Sequence, residues 1–389
     1  MSKEIEKRNE HFVDSAPFDP WDREELTPEQ EKYFLASQWQ LMWWRLKRHR
    51  LAYFSLIVLA IMYASVFIVE FIAPYAQETR NSEYIHHPPQ GIHLFHDGEF
   101  VGPFTYGTDF SVNMETLKPT YTVNPDRIEP LRFFCSGDEY EFWGMIDMDF
   151  HFVCPSEDGT LFMFGTDRLG RDMLSRMIYG ARVSLTIGLV GISVSFLLGI
   201  LIGGAAGYYG GWVDSTAQRA IEVIRSLPEI PLWMALSAAL PVTWSPILIY
   251  FGITIILGLI DWTGLARAVR SKLLALREED YALAARLMGA KPKRIIARHL
   301  LPNFASHLIA SVTLSIPNMI LGETALSFLG LGLRAPVTSW GVLLNEAQNI
   351  NAVAVYPWLM LPVVPVVVVV LAFNFLGDGL RDAADPYKN

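Results

Sequence analysis

An all-α polytopic membrane protein of six spans, with a small β-rich or α/β domain inserted between the first two, is the fold class this sequence predicts. Three observations carry the expectation. The 389 residues are 51% hydrophobic and only 18% charged, against about a quarter charged in soluble domains. The apolar residues fall in blocks: Leu51 to Ile72 holds one formal charge, Glu70, near its end, and neither 183–206 nor 357–376 holds any. Each block meets the roughly 18–20 residues needed to cross a hydrocarbon core. Charge is also partitioned, with five Lys/Arg against ten Asp/Glu in 1–44, four against fifteen in 73–164, and 22 against fifteen in the remainder. Neither soluble part offers the basic face that nucleic-acid binding requires.

In chain order, the first forty residues are polar and acidic and lack the apolar core of a cleavable signal. Tyr33, Leu35, Trp39, Leu41, Met42, Trp43 and Leu46, mixed with Gln and basic residues, predict an amphipathic helix in the headgroup region. Residues 1–44 are therefore expected to be a cytoplasmic tail ending in that helix, and 45–73 the first span. In 74–163 the patterns Glu139-Tyr140-Glu141-Phe142 and Asp147 to Phe152 alternate, with turn signals at Ser136-Gly137-Asp138 and Trp143-Gly144. These predict short strands of an accessory domain. The remaining membrane-spanning core then occupies 164–389. Its first span carries Gly199, Gly203 and Gly207 four apart, a close-packing pattern. Ile230 to Trp244 is short, contains two prolines and is the weakest span. Ile247 to Ile260 predicts a helix ending at Asp261, Phe304 to Gly322 one that contains His307 and Pro317-Asn318, and Pro357 to Leu376 the last. The β-branched run 363–371 is expected to be helical because lipid leaves an unpaired strand unsatisfied.

Orientation follows from short-loop Lys/Arg. Arg45, Lys47, Arg48 and Arg50 crowd the entrance of span 1, and nine basic residues lie between Arg267 and Arg298. Six spans put these clusters on one side, so both termini are expected in the cytoplasm and 74–163 outside. Several chemistries are excluded or disfavoured. No GxxxxGK[ST] loop is present, so the chain cannot hold ATP by a P-loop, and GxSxG, HExxH and CxxC are absent. His86, His87, His93 and His96 cluster in a proline-containing loop without fixed metal-ligand geometry, and no metal site is expected. Asp167 and Asp172, beside Arg168 and Arg171, read as charge pairing and helix capping rather than acid–base chemistry. Ion-coupled secondary transport, the alternative from a different class, needs ionisable groups near the midplane. Glu70, Asp261 and Glu323 instead fall at span ends, leaving only His307 inside.

The loop REEDYALAARLMGAKPKRIIARHLLPNFASHL (277–308) reads as two helical stretches broken at Gly289, with Pro292 in the first turn of the second and Pro302 stopping it. Ala284 and Ala285 place two small side chains on the first stretch, a surface a partner's groove can approach closely. The segment resembles the EAA loop of binding-protein-dependent ABC importers, in the frame Ala284-Ala285, Gly289, Leu301-Pro302; Leu283 and His299 depart from the usual Glu and Ile. FGTDRLGRDMLSRMIYGARVSL (164–185), GYYGGWVD (207–214), LSFLGLG (326–332), SWG (339–341) and LGDGLRDAADP (376–386) resemble the dipeptide/oligopeptide permease family, C-type subunit. The resemblance spans 45–73 and 164–389. It implies a type I importer fold in a bacterial cytoplasmic (inner) membrane. The implied partners are a homologous B-type permease, two ATP-binding subunits gripping loop 277–303, and an extracytoplasmic substrate-binding protein, besides the lipid bilayer. ATP would bind to the partner subunits, leaving this chain without catalytic residues or a cofactor of its own. The coupling positions would be Asp280, Ala284, Ala285, Gly289, Leu301 and Pro302. Peptides are the expected cargo; oligosaccharides, opines, nickel or another small solute are the alternatives within the class. Ser311, Ser315 and Asn318 are candidate pore-liners, with helix–helix hydrogen bonding as an equal reading, and Pro317 a candidate bend. The only two cysteines, Cys135 and Cys154, both fall in the segment placed outside, where a disulfide between them would persist.

Overall fold

A computed structural model describes Lys32 and residues 35–384, apart from 115–117, 158, 242 and 349. The acidic tail 1–31, Tyr33 of the expected amphipathic helix and the final 385–389 lie outside the described residues. The chain divides into two compact units, 1–44 and 45–389. Helix α1 (Gln38–Arg48) opens on a capping box. Ser37 Oγ accepts from the Gln40 amide at 3.4 Å while Gln40 Oε1 accepts from the Ser37 amide at 2.9 Å. Trp39 and Trp43 are exposed along it.

Helix α2 (Arg50–Val66) follows, its first turn capped by His49 Nδ1 accepting from the Ala52 amide. The helix breaks at Phe67-Ile68 and resumes as α3 (Val69–Ile72). Among the described residues five strands follow: β1 (His93–His96), β2 (Glu99–Asn113), β3 (Lys118–Pro130), β4 (Arg132–Phe142) and β5 (Ile146–Cys154). They form an antiparallel sheet β1-β2-β3 and a separate hairpin β4-β5. The β4-β5 turn falls where the sequence signalled one, with Trp143 and Gly144 at φ 55° and 66°. Ser136-Gly137-Asp138, expected to be a turn, is instead a bulge inside β4. It lets Asp138 reach back to the loop after α3: its Oδ2 accepts from Thr79 Oγ1 at 2.6 Å and from the Ala76 amide at 3.3 Å. His151 is buried between the carbonyls of Ala73 and Asp138, 2.7 and 2.9 Å away. Cys135 and Cys154 are bonded across the hairpin, their Cα atoms 6.3 Å apart.

The helical core is α4 (Met173–Tyr209), α5 (Gly211–Arg225), α6 (Glu229–Ala238), α7 (Pro246–Leu276), α8 (Asp280–Leu287), α9 (Pro292–Arg294), α10 (Ala305–Phe328), α11 (Trp340–Glu346), α12 (Ile350–Val355) and α13 (Val363–Ala384). Among the described residues, four helical stretches are long and apolar enough to cross a membrane: 173–209, 246–276, 292–328 and 357–384. A fifth is counted if α1 and α2 are one broken span. Two sequence expectations need correction. Ile230 to Trp244 is helical only through α6, whose ten residues rise about 15 Å, half of a hydrocarbon core. Helix α7 does not end at Asp261; it runs fifteen residues further, because Asp261 Oδ2 accepts from Ser195 Oγ of α4 at 3.2 Å and the next two side chains, Trp262 and Thr263, are buried.

The glycine stripe of α4 explains the core packing. A Cβ at Gly191 would face Thr254, at Gly199 Leu265, at Gly203 the Ala266 backbone, and at Gly207 the Arg270 carbonyl 2.8 Å away. Both sets of numbers rise together, so α4 and α7 run parallel. The chain between them must travel back along their length, and it does so through α5, a break at Ser226–Pro228, and α6.

Candidate functional site

At the end of α4 marked by Gly207, Gly210 and Gly211 take left-handed backbone (φ 65° and 54°) and turn the chain into α5. Arg277 donates to the carbonyls of Gly207 and Tyr208 at 3.3 and 3.2 Å, satisfying acceptors the last turn of α4 leaves open. Asp214 of α5 pairs through both oxygens with Arg270 of α7. Helix α8 leaves this corner with Asp280 in its first turn, an acid at the positive end of the helix dipole. It closes on Gly289 (φ 81°): the Gly289 amide donates to the Arg286 carbonyl and the Ala290 amide to the Ala285 carbonyl, 3.0 and 3.1 Å, the paired bonds of a Schellman cap.

The two alanines of the motif part company. Ala285 and Ala282 point inward and pack with Val269 and Leu273 of α7 and with Ile295, Leu300 and Phe304. Ala284 points outward, so the expected pair of small outward side chains is one. The outward surface is instead apolar and bulky, with Leu287 89% and Met288 82% exposed and Tyr281 and Leu283 beside them. Exposed Arg286, Lys291, Lys293 and Arg294 rim it. Leu301 packs half-buried on the same core. Pro302 does not stop the helix as expected. The chain widens into a π-type turn (Ile295–Leu300), tightens into a 3₁₀ turn (Leu301–Phe304) and continues as α10. The wide turn accommodates the proline ring, which a regular α-turn would press against the carbonyl four residues back.

The other motifs converge at the opposite end of the helices. Glu323 of α10 is fully buried and its Oε1 accepts from Ser327 Oγ at 2.8 Å and Ser339 Oγ at 2.7 Å, while Oε2 accepts from Ser184 Oγ at 3.4 Å. Ser339 also caps α11, and the Trp340 amide donates to Ser184 Oγ. Nearby, Asp167 accepts from Arg171 Nε at 2.7 Å and Arg176 Nη1 at 2.6 Å. Glu346 of α11 takes Arg176 at 2.6 Å and Arg171 at 3.3 Å, so two buried guanidinium groups neutralise two carboxylates. Asp172 caps α4, accepting from the Ser175 amide and hydroxyl at 2.7 Å each, and burial pushes its carboxyl up to about 7. Capping and pairing therefore account for this segment, with Arg176 in the place expected for Arg168, which is exposed. The sequence reading left Glu323 as a span end; the hydroxyl residues of LSFLGLG and SWG were the available signal.

The four histidines are engaged separately. His86 stacks on Tyr356 at 4.2 Å between ring centres. His87 is hydrogen-bonded to the Pro88 carbonyl and Thr108 Oγ1 at 2.7 and 2.8 Å, and burial pulls its pKa down to about 4. His93 packs on Phe104 and Tyr106, and His96 Nδ1 lies 3.2 Å from the Tyr106 hydroxyl.

Residues 196–388 match the model of the binding-protein-dependent transport system inner membrane component, and 37–89 that of the N-terminal TM domain of oligopeptide transport permease C. Relatives include the dipeptide transport system permease protein DppC of Bacillus subtilis (strain 168), 41% identical over 57% of this chain and 68% of that protein. The oligopeptide transport system permease protein OppC of the same organism is 36% identical over 60% of this chain and 73% of its own. The chain belongs to the dipeptide/oligopeptide permease family of ABC transporters. A solved structure of the MetNI methionine ABC transporter, inward-facing, aligns over 54% of this chain and 97% of its own at 20% identity and a TM-score of 0.41.

Within this permease the candidate pore-liners of α10 lie one turn apart along one side. Ser315 Oγ donates to the Ser311 carbonyl at 3.1 Å, satisfying itself within the helix, and only Asn318 is exposed. Pro317 is buried inside α10, which continues through it. Asp261 is not at a span end but sixteenth of 31 residues in α7, so the placement of charges does not exclude ion-coupled transport. Family membership does: this is a membrane permease of an ABC importer, which works with ATPase and substrate-binding subunits.

Proposed function

We propose that this chain is one of two permease subunits forming the pathway of an ATP-driven peptide importer, with a homologous B-type permease as the other. Two ATP-binding subunits dock at loop 277–303, and a substrate-binding protein docks on the far side. The reading is carried by one observation: α8 presents Leu287 and Met288 to solvent inside a basic rim, an apolar surface too exposed to be left uncovered in the assembly. Asp280, Ala284 and Gly289 shape that surface, Ala285 and half-buried Leu301 brace it from within, and Pro302 lies exposed just beyond the π-type turn. The names of the relatives support peptides as cargo. The chain itself needs no cofactor, ATP being held by the partner subunits.

In this reading α5 and α6 together make the third of six crossings, both termini are cytoplasmic, and 74–163 faces outward, where the Cys135–Cys154 bond is stable. Denatured, non-reduced protein should then expose no alkylatable thiol; two would refute the bridge. The function is tested by reconstituting the complete importer in proteoliposomes. ATP-dependent uptake of di- to pentapeptides is expected, with no uptake when the binding protein is omitted. Uptake of oligosaccharides alone would reassign the cargo, and uptake driven by an ion gradient without ATP would overturn the class.

A further inference from the structure

Three ionisable groups meet halfway through the membrane, where charge is expensive and normally marks a function. Their depth can be read from α4. Its charge-free run is 183–206, and Ser195 sits at the middle of it. The Ser195 hydroxyl donates to Asp261 of the neighbouring α7, which places that carboxylate at the same level. Half a turn further along α7, Thr263 Oγ1 accepts from Arg225 Nε at 3.1 Å. Arg225 is the last residue of α5, and Glu229 the first of α6, on either side of the break at Ser226–Pro228. Arg225, Glu229, Asp261 and Thr263, with Ile224, Leu227 and Ile260, line a cavity of about 260 Å³.

Two features separate this cavity from a structural ion pair. Arg225 and Glu229 are exposed on the isolated chain, although α5–α6 must run beside α4 and α7. Lipid cannot cover such a surface at that depth, so it faces either the pathway or the second permease. The helix break also leaves backbone groups at the ends of α5 and α6 open, a construction tolerated in membranes only where it lines a cavity or is covered by protein. A basic group and two acidic ones around a space of this size match a molecule carrying one carboxylate and one ammonium.

We infer that this midplane cavity is a transit subsite of the pathway, in which Arg225 receives the C-terminal carboxylate of a passing peptide and Glu229 with Asp261 its ammonium end. The inference rests on the peptide reading and adds a location and a recognition chemistry to it. The subsite need only be weak, since a transported molecule must also leave.

The test uses the whole importer in proteoliposomes with the photoreactive p-benzoylphenylalanine placed at Leu227. Illumination during ATP turnover with a radiolabelled tripeptide is expected to label this chain, and illumination without ATP to label it far less. With Leu227 intact, Arg225→Gln is expected to lower the maximal uptake rate about tenfold, the order of one lost charge-assisted hydrogen bond. Arg225→Lys, which keeps the positive charge, should stay within about threefold of the parent. Binding-protein affinity for the peptide cannot change, because that protein is untouched. Crosslinks to the second permease or to lipid alone, or an Arg225→Gln importer as fast as the parent, would overturn the inference. If the parent takes up no peptide at all, the cargo reading fails instead, which is a separate outcome.

Discussion

The two ends of the helical core solve opposite problems with the same residue types. At the end marked by Glu323 and Glu346, charges are buried and closed by each other: Arg176 is 2% exposed and holds both Asp167 and Glu346. At the end marked by α8, charges are solvated and it is the apolar side chains that stand open, Leu287 and Met288 above all. Glycines follow the division. Gly170 (φ 71°) is pressed against the backbone of Asn81, whereas Gly289 (φ 81°) has nothing within 4 Å of the position a Cβ would take. The first end is a finished scaffold. The second, in the proposed function, is a surface that a partner subunit completes, and variants at the two ends should then fail differently.

The largest effect is expected at Arg176. Arg176→Met leaves two buried carboxylates short of a cation, and removing one partner from such a network costs about 3–5 kcal/mol. Thermal unfolding of the assembled importer in nanodiscs should shift sharply downward. Arg171→Met should cost less, because Arg176 still reaches both acids. Equal melting of Arg176→Met and the parent would remove the scaffold half of the comparison.

Acid should loosen the inserted β domain through His87. Its pKa is about 4 in the fold, because burial among Thr108 and the rings of Tyr84, Tyr121 and Phe162 disfavours the cation, against about 6.5 when unfolded. Between those values the unfolded chain binds more protons, so stability is intact above pH 6.5, falls as pH drops toward 4, and then levels off, by roughly 3 kcal/mol in all. Asp172 runs the other way. Its carboxyl is raised to about 7, so the folded state gains protons, and stability, as pH falls from 7. The His87 contribution is isolated as the difference between parent and His87→Gln in hydrogen exchange of β2 and β3 from pH 7 to 4.5. Parallel pH profiles for the two proteins would show that His87 is not the sensor.

The open end should respond without unfolding. Leu287→Asp combined with Met288→Asp places charge in the surface assigned to the ATPase contact, where a central apolar anchor is worth about 2 kcal/mol or more, roughly 30-fold in affinity. Uptake and co-purification of the ATP-binding subunits should collapse while the melting temperature of the permease pair holds. A melting shift as large as that of Arg176→Met would mean that α8 is scaffold as well.

What the sequence disclosed, and what it withheld, divides along physical lines. Local chemistry was legible: the Schellman glycine at 289, the cap at Asp172, the small-residue stripe of α4 and the turn at Trp143-Gly144 each depend on a few neighbouring residues. The phase and depth of a helix were not. Nothing in ALAARLMG says that Ala285 faces α7 and Ala284 does not, since that follows from where Val269 and Leu273 lie. Asp261 looked like a stop because a lone charge ends an apolar run; Ser195, 66 positions earlier, is what carries the helix through it. Glu323 was obscure for the same reason, since two of its three hydroxyl partners, Ser184 and Ser339, come from outside its own helix.

The smallest effect, and the finest division between the two ends, is expected at Gly289. Because the surrounding space is open, the cost of a side chain there is purely conformational. A left-handed backbone costs an ordinary L-residue about 1 kcal/mol, less for Asn and more for a β-branched residue. Gly289→Asn should therefore keep nearly full peptide-stimulated ATPase activity, Gly289→Ala lose a few-fold as the last turn of α8 frays, and Gly289→Val lose most. None should alter the melting temperature measurably. A steric role would rank the variants by volume, with Asn worse than Ala, so the order of those two alone decides whether the residue sets the cap or merely leaves room.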